Sequence, residues 1–174
     1  MKTKTIFTAL FLIIFTSNVF SQKSEWLEKM QQVKLLSTNY EDVIKIFGNP
    51  IDGTYERELS EYFDIKEGRV FALFALGECV VTSYSDGKPI GWKVPAYTIT
   101  DLSFTPNKRI KLKDFTKQMK LNLADFRSYE ISDVPRAFVY ENDKIGLDFV
   151  IDRKGKVEGI SFQPPEALDY LYCQ

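Results

Sequence analysis

Two segments near the start of the chain carry apolar residues at helical spacing. In the first, residues 24–34, apolar side chains recur one, three and three positions apart. This spacing places them on one face of a helix, so we predict a short helix here. The stripe consists of Trp26, Leu27, Met30 and Val33.

The second helical segment has clearer ends. Thr38 and Glu41 have the spacing of a capping box, in which the hydroxyl and the carboxylate accept hydrogen bonds from each other's backbone amides. Gly48 and the nearby Pro50 end the pattern, because glycine adopts the left-handed conformation and proline prevents the helix from continuing. We therefore predict a helix between these signals. Its apolar face consists of Val43, Ile44, Ile46 and Phe47.

From Tyr62 onward the pattern changes to alternation and short apolar runs, which are typical of strands. Two of these runs, 62–65 and 69–76, flank a turn at Lys66-Glu67-Gly68. The second run is apolar on both faces, which predicts a central position in a sheet. Further strands are predicted at 97–104, 137–140, 147–151 and 157–162. The last two flank a hairpin turn in which Gly155 is free to take positive φ.

The segment 112–126 fits two interpretations. Phe115, Met119 and Leu123 fall four residues apart, as on a helix, whereas Leu121 and Leu123 alternate, as on a strand. We predict a short helix or an irregular crossing here. Since no linker rich in Pro, Gly or Ser divides the chain, we predict one α+β domain over residues 22–174. Its antiparallel sheet should carry one or two N-terminal helices packed on one face.

The first residues have the layout of a cleaved signal peptide. Lys2 and Lys4 precede an apolar run over residues 6–15, and small residues then precede Gln22. The run is shorter than the roughly 20 apolar residues of a spanning helix, and no other stretch is long enough to span. We predict that residues 1–21 are removed on export, which leaves a soluble periplasmic or secreted protein.

The chain has two cysteines, Cys79 and Cys173. Oxidising compartments favour pairing of thiols in exported proteins, so we predict a Cys79–Cys173 disulfide that ties the last residues to the core. The alternative is a reactive or metal-binding thiol, which no nearby histidine or second close cysteine supports.

The charge of the exported part does not favour nucleic acid as a partner. Without Lys2 and Lys4 the chain has 21 basic and 24 acidic side chains, a formal net charge of −3, with the signs interspersed. Basic residues do gather in the segment 108–113. There they alternate with Ile110 and Leu112, which predicts a single solvated face. A patch for an acidic partner is the alternative interpretation.

Histidine is absent from the chain. Its absence excludes Ser-His-Asp and Cys-His nucleophile systems and histidine zinc sites. The glycines are scattered singly, so no phosphate-binding loop or dinucleotide motif is present. We expect no cofactor and no metal site.

One motif resembles a known class of exported module. The run Ser37-Thr38-x-x-Glu41-Asp42-Val43-x-x-x-Phe47-Gly48-x-Pro50 resembles the opening helix of SmpA/OmlA-like outer-membrane assembly lipoproteins, and it is similar to β-lactamase inhibitor protein repeats. This resemblance implies helices packed on an antiparallel sheet whose curved outer face binds a partner. The assembly lipoproteins carry a lipidated cysteine that this chain lacks.

A wider resemblance spans most of the exported part. The chain is similar to an uncharacterised family of short exported bacterial proteins, which implies the fold and export but no activity. The matching residues are Gly77-x-Cys79, Gly91-Trp92-x-Val94-Pro95, Leu102-Ser103-Phe104-Thr105-Pro106, Tyr140-x-Asn142, Gly146 and Cys173.

Trp92 is the first candidate binding residue. Glycines and prolines around it, in the segment 87–95, predict a surface loop, where a large aromatic side chain needs cover from the fold or from a partner. The alternative is that Trp92 folds back over the sheet as a plug beside the disulfide. Tyr97 is the second candidate and carries the same ambiguity. We expect a non-catalytic interaction module that binds an envelope or extracellular protein through the sheet face and this loop.

An enzymatic alternative rests on carboxylates, the acid and base groups left without histidine. Asp148 with Asp152, or Glu61 with Asp64, would be the pair of a small hydrolase acting on cell-wall or extracellular polysaccharide. Asp148 also alternates with apolar neighbours, as a solvent-facing strand residue does. A purely structural envelope protein with no defined ligand is a third alternative.

Overall fold

The computed structural model of the protein describes residues 24–51, 59–82 and 89–173. The predicted signal peptide, residues 1–21, lies outside them. The helices of the described part are α1 (Glu25–Met30), α2 (Tyr40–Phe47) and α3 (Leu112–Met119), with 3₁₀ turns at Leu123–Asp125 and Glu166–Leu171. Its strands are β1 (Leu59–Ile65), β2 (Gly68–Phe74), β3 (Val81–Thr82), β4 (Pro89–Trp92), β5 (Ile99–Pro106), β6 (Ile110–Lys111), β7 (Arg127–Glu130), β8 (Phe138–Asn142), β9 (Leu147–Ile151), β10 (Lys156–Phe162) and β11 (Tyr172–Cys173).

The main sheet is antiparallel, as predicted. Its strands follow the order β1-β2-β5-β10-β9-β8-β7, and the short β6 pairs with the start of β10. Two meanders, β1-β2-β5 and β7-β8-β9-β10, therefore meet where β5 pairs with β10. The run that is apolar on both faces forms β2, an inner strand between β1 and β5.

A second, three-stranded sheet has the order β11-β4-β3. This sheet was not predicted, because each of its strands has only two to four residues and so shows no alternating pattern. The segment 87–95, predicted as a surface loop, is in part strand β4.

One face of the main sheet forms the core together with all three helices. Its central row, in register across the strands, is Phe63, Val70, Phe104, Ile160 and Phe149. Each helix contributes one aromatic ring to this row. The ring-centroid distances are 4.8 Å for Trp26–Phe104, 5.7 Å for Phe47–Phe63 and 5.0 Å for Phe115–Phe149. The α+β prediction is confirmed, with α3 added to the two N-terminal helices.

Helix α2 begins one residue later than the predicted capping box. Asn39 is its N-cap, with Oδ1 accepting a hydrogen bond from the Asp42 amide at 2.9 Å. Thr38 instead accepts from the Lys34 amide at 2.8 Å, so its hydroxyl closes the preceding loop. The predicted end at Gly48 is confirmed, with φ of 95°.

Gly68 has a different role from the predicted one. The β1–β2 turn consists of Lys66 and Glu67, and Gly68 is the buried first residue of β2, opposite Ile65. A Cβ atom at this position would lie 2.3 Å from the carbonyl oxygen of Thr105. Glycine is therefore needed here for close approach of neighbouring strands.

The ambiguous segment 112–126 is helical at its start. Phe115 is fully buried against Phe149, and Lys120, with φ of 56°, ends α3. In the described part of the chain, no helix has both the length and the apolar character needed to cross a membrane.

Candidate functional site

The predicted disulfide between Cys79 and Cys173 is present, with the two Cα atoms 5.7 Å apart. Cys173 lies in β11 opposite Gly91 of β4. The Cys79 amide donates a hydrogen bond to the carbonyl oxygen of Trp92 at 3.1 Å. The disulfide thus fastens the small sheet and the C-terminal strand to the segment that follows β2.

Trp92 lies beside this disulfide on β4. It is opposite Tyr172 of β11, and the two rings meet edge to face with centroids 5.0 Å apart. Its side chain is half-buried. Trp92 therefore packs against the fold, as the plug interpretation expects, and also keeps an accessible part. Its role in binding stays a prediction.

A cavity of about 280 Å³ opens between the small sheet and the ends of β2 and β5. Two exposed aliphatic residues lie at this cavity: Leu76 is 43% exposed and Val80 is 53% exposed. We call Leu76, Val80, Trp92 and Tyr172 the Trp92 surface. Leu76 was not predicted as a surface residue, because the apolar run at 69–76 predicted a strand to its end. Val80 lies beyond that run and was not singled out.

Tyr97 is 57% exposed and does not line this cavity. Its φ of 64° is unusual for a bulky residue. Two backbone hydrogen bonds hold this conformation: the Tyr97 amide donates to the carbonyl of Ala75 at 2.8 Å, and its carbonyl accepts from the Tyr40 amide at 2.9 Å. The structure therefore places the two candidate residues on neighbouring but separate patches.

Near the β8–β9 turn, four carboxylates line a second cavity of about 310 Å³. They are Asp143, Asp148, Glu166 and Asp169. Asp148 Oδ2 accepts a hydrogen bond from Gln163 Nε2 at 2.8 Å. We call this the acidic cleft. Of the four, only Asp148 was a candidate from the sequence, because the other three come from a turn and from the C-terminal 3₁₀ turn and share no sequence pattern.

The pKa of Asp148 is raised above its ordinary value. Partial burial is the largest cause, and the negative charges of Glu141 and Asp143 add to it. The Asn142 amide and the charge of Arg127 act in the opposite direction. The ionised form of Asp148 is therefore less favourable in the folded protein than in the unfolded chain.

We expect Asp148→Asn to raise the melting temperature at pH 7. A carboxyl with a raised folded pKa stabilises the fold while it is protonated, and this contribution is lost as pH rises through the folded pKa. The gain from the substitution should therefore disappear below the unfolded pKa, near 3.8. Thermal unfolding of both forms across this pH range measures it.

The control for this experiment is Asp133→Asn, at an exposed position away from the acidic cleft. It removes the same charge and should show no comparable gain at pH 7. A lower melting temperature for Asp148→Asn than for the unmodified protein at pH 7 would contradict the expectation.

The carboxylate pairs considered for hydrolysis are not brought together. Asp148 and Asp152 are four residues apart along β9 and its end. At the rise of a strand, their Cα atoms are about 13 Å apart. The carboxyl groups of glycosidase pairs are roughly 5 to 9.5 Å apart. Glu61 and Asp64 point to opposite faces of β1. Glu61 is buried and accepts from the Tyr40 hydroxyl at 3.2 Å, while Asp64 pairs with Arg69 at 2.8 Å.

Asp152 instead organises the β9–β10 turn. Its Oδ1 accepts hydrogen bonds from the amides of Lys156 and Lys154, both at 2.8 Å, and its Oδ2 contacts Arg109 at 2.7 Å. These bonds, that of Lys156 first, lower the pKa of Asp152. Gly155, with φ of 68°, completes the turn as predicted. Among the residues that the structure describes, no cluster of three carboxylate or cysteine side chains fits a metal ion.

No protein-family model matches the chain, and no match was found among curated proteins. A similar solved structure is that of YjgB, a DUF4309 family protein from Bacillus subtilis subsp. subtilis str. 168. The two share 16% sequence identity, the match covers 77% of this chain and 83% of that chain, and the TM-score is 0.43. Likeness at this level carries no argument about function. The resemblance to SmpA/OmlA-like modules and to β-lactamase inhibitor protein repeats is not shown by these comparisons.

Proposed function

We propose that residues 22–174 form a non-catalytic interaction module that binds a protein or envelope component through the Trp92 surface. The observation that carries the proposal is the grouping of Leu76 and Val80, both exposed, with Trp92 and Tyr172 around one cavity. Exposed apolar side chains that cluster in this way mark interaction sites more often than singly scattered ones do.

The backbone of the Trp92 surface is held in place before any partner binds, which favours binding. The disulfide and the pairing of β4 with β11 fix its backbone, so little conformational entropy remains to be lost when a partner binds. Tryptophan and tyrosine are also the residues that most often carry binding energy at interfaces. A concave, preorganised apolar site of this kind fits a single apolar side chain of a partner.

The disulfide also supports the proposed location. Structural disulfides persist in oxidising compartments and are rare in the cytosol. A Cys79–Cys173 pair is therefore compatible with a periplasmic or secreted protein. The predicted signal peptide indicates the same location.

Substitution of Val80 tests the proposal. Because its side chain is exposed, Val80→Asp should leave folding intact and abolish capture of a partner from the cell envelope. The matched control is Ile145→Asp, which changes a side chain of nearly equal exposure, 52% against 53%, outside the Trp92 surface. A specific component retained by the control and lost with Val80→Asp supports the module. Equal capture by both variants would refute the assigned surface.

The second candidate function is a carboxylate-dependent hydrolase centred on the acidic cleft. The raised pKa of Asp148 favours it, because a proton donor needs such a shift. Among the residues that the structure describes, those that line the cleft include no aromatic ring, so this part of the lining offers a sugar no stacking platform. Polysaccharide turnover that is lost in Asp148→Asn and kept in Asp133→Asn would support this candidate over the first.

A further inference from the structure

Basic side chains from three separate segments meet at one end of the main sheet. Lys66 lies in the β1–β2 turn, and Arg153 and Lys154 lie in the β9–β10 turn. The segment 107–113 lies between the two turns: the Asn107 amide donates to the carbonyl of Glu67 at 2.9 Å, and β6 pairs with β10. We call this group the basic end; it consists of Lys66, Lys108, Lys111, Lys113, Arg153 and Lys154, all exposed.

The basic end carries unneutralised charge. In the described part of the chain, none of its six side chains has a carboxylate within 4.0 Å. Arg109 pairs with two carboxylates at this end of the sheet, those of Asp152 at 2.7 Å and Glu158 at 3.0 Å. Arg69 near the start of β2 pairs with Asp64, and Arg127 in β7 pairs with Glu141.

Two of these lysines stand where the local structure disfavours positive charge. Lys111 is directly opposite Lys156 on the neighbouring antiparallel strand, a position in which like charges repel. Lys111 is also the N-cap of α3, and Lys113 follows in its first turn, beside the positive end of the helix dipole. Asp114 is the acidic residue of that turn. Charges held against local stability indicate a function that requires them.

The shape of the basic end fits a broad anionic surface better than one small anion. Its charges span the width of strands β2, β5, β10 and β9, about 14 Å at the spacing of a sheet. They are exposed and sit on long flexible side chains. A fixed site for a single anion would instead hold buried, hydrogen-bonded donors.

An apolar cavity of about 380 Å³ lies at the same end. Its apolar lining consists of Trp26, Phe104, Pro106 and Ile110, and its polar lining consists of Lys66, Glu67, Asn107 and Lys108. The carboxylate of Glu67 accepts a hydrogen bond from the Trp26 amide at 2.6 Å. A lipid offers both kinds of group that this arrangement would contact, an anionic headgroup and adjoining apolar atoms. A soluble polyanion offers only the first.

We propose that the basic end binds the surface of a bilayer that contains anionic phospholipid. This contact is peripheral and electrostatic, and it is independent of the Trp92 surface. Each lysine near an anionic membrane strengthens binding about fivefold, which corresponds to about 1 kcal/mol. The interaction should weaken as salt is added.

Vesicle co-sedimentation of the processed protein tests this proposal. Phosphatidylcholine vesicles with phosphatidylglycerol should bind it, and vesicles of phosphatidylcholine alone should not. The triple variant Lys108→Gln/Lys111→Gln/Lys113→Gln should bind about 100-fold more weakly. The control Lys34→Gln/Lys117→Gln/Lys144→Gln removes equal charge from exposed positions outside the basic end and should bind like the unmodified protein.

Thermal unfolding is a second measurement. If Lys111 and Lys113 served only to stabilise the fold, their replacement would not raise the melting temperature. Because Lys111 and Lys113 oppose local stability, the triple variant should melt at a higher temperature than the unmodified protein while binding less. Equal loss of binding in the two triple variants would overturn the proposal, as would absence of a preference for phosphatidylglycerol. Binding to heparin without binding to the anionic vesicles would assign the basic end to a soluble polyanion and equally overturn it.

Discussion

Removal of the Cys79–Cys173 disulfide is expected to lower the free energy of unfolding by about 4 to 5 kcal/mol. The two cysteines are 94 residues apart in the sequence, so the bond closes a long loop and restricts the unfolded chain strongly. The bond also holds β11, which pairs with β4 beneath Trp92. Its loss should therefore loosen the Trp92 surface as well as the whole fold.

Urea unfolding of Cys79→Ser/Cys173→Ser measures this effect against the oxidised protein. Adding a reductant is the internal control, because it should destabilise the unmodified protein and leave the double variant unchanged. If the oxidised protein and the double variant unfold at the same urea concentration, the disulfide does not stabilise the fold as described.

Phe115→Ala is expected to lower the free energy of unfolding by about 3 to 5 kcal/mol. Phe115 is fully buried, and its ring contacts that of Phe149 in β9 with centroids 5.0 Å apart. Truncation removes this contact and leaves a cavity between α3 and the sheet. The same denaturant series measures the loss.

Lys117→Ala is the matched control on the same helix. Its side chain is exposed, and alanine is a good helix former, so the change should stay within about 0.5 kcal/mol. Similar small effects from both substitutions would mean that α3 does not dock through Phe115.

Much of the fold could be predicted because its signals are local. Strand β9 has the predicted bounds, since apolar residues alternate up to a turn signal at Gly155. The start of α2 was harder, because Thr38 and Asn39 are both good N-caps. The hydrogen bond from the Lys34 amide to Thr38 decides between them, and that loop contact has no signature in the sequence.

The candidate sites could not be assembled from the sequence for a different reason. The Trp92 surface exists because β11, at the C-terminus, pairs with β4, and strands this short carry no periodicity. The acidic cleft likewise joins the β8–β9 turn to the C-terminal 3₁₀ turn. Trp92 stood out because a large aromatic residue lies among glycines and prolines, whereas Leu76 and Val80 gain their role from the tertiary structure.

The two proposed surfaces lie at opposite ends of the main sheet. Strand β2 begins at Gly68, next to Lys66 of the basic end, and finishes at Phe74, which lines the cavity of the Trp92 surface. Attachment of the basic end to a membrane would therefore direct the Trp92 surface away from the bilayer. A module held in this way would present its partner site to the surrounding compartment.

Site-specific photo-cross-linking in intact cells tests the central claim most directly. A photoreactive phenylalanine analogue replaces Val80 in one form of the protein and Ile145 in another, two positions of nearly equal exposure. If the Trp92 surface binds a partner, the probe at position 80 should yield one defined adduct that the probe at position 145 does not. Identical adduct patterns from both positions, or none from position 80, would contradict the proposed interaction module.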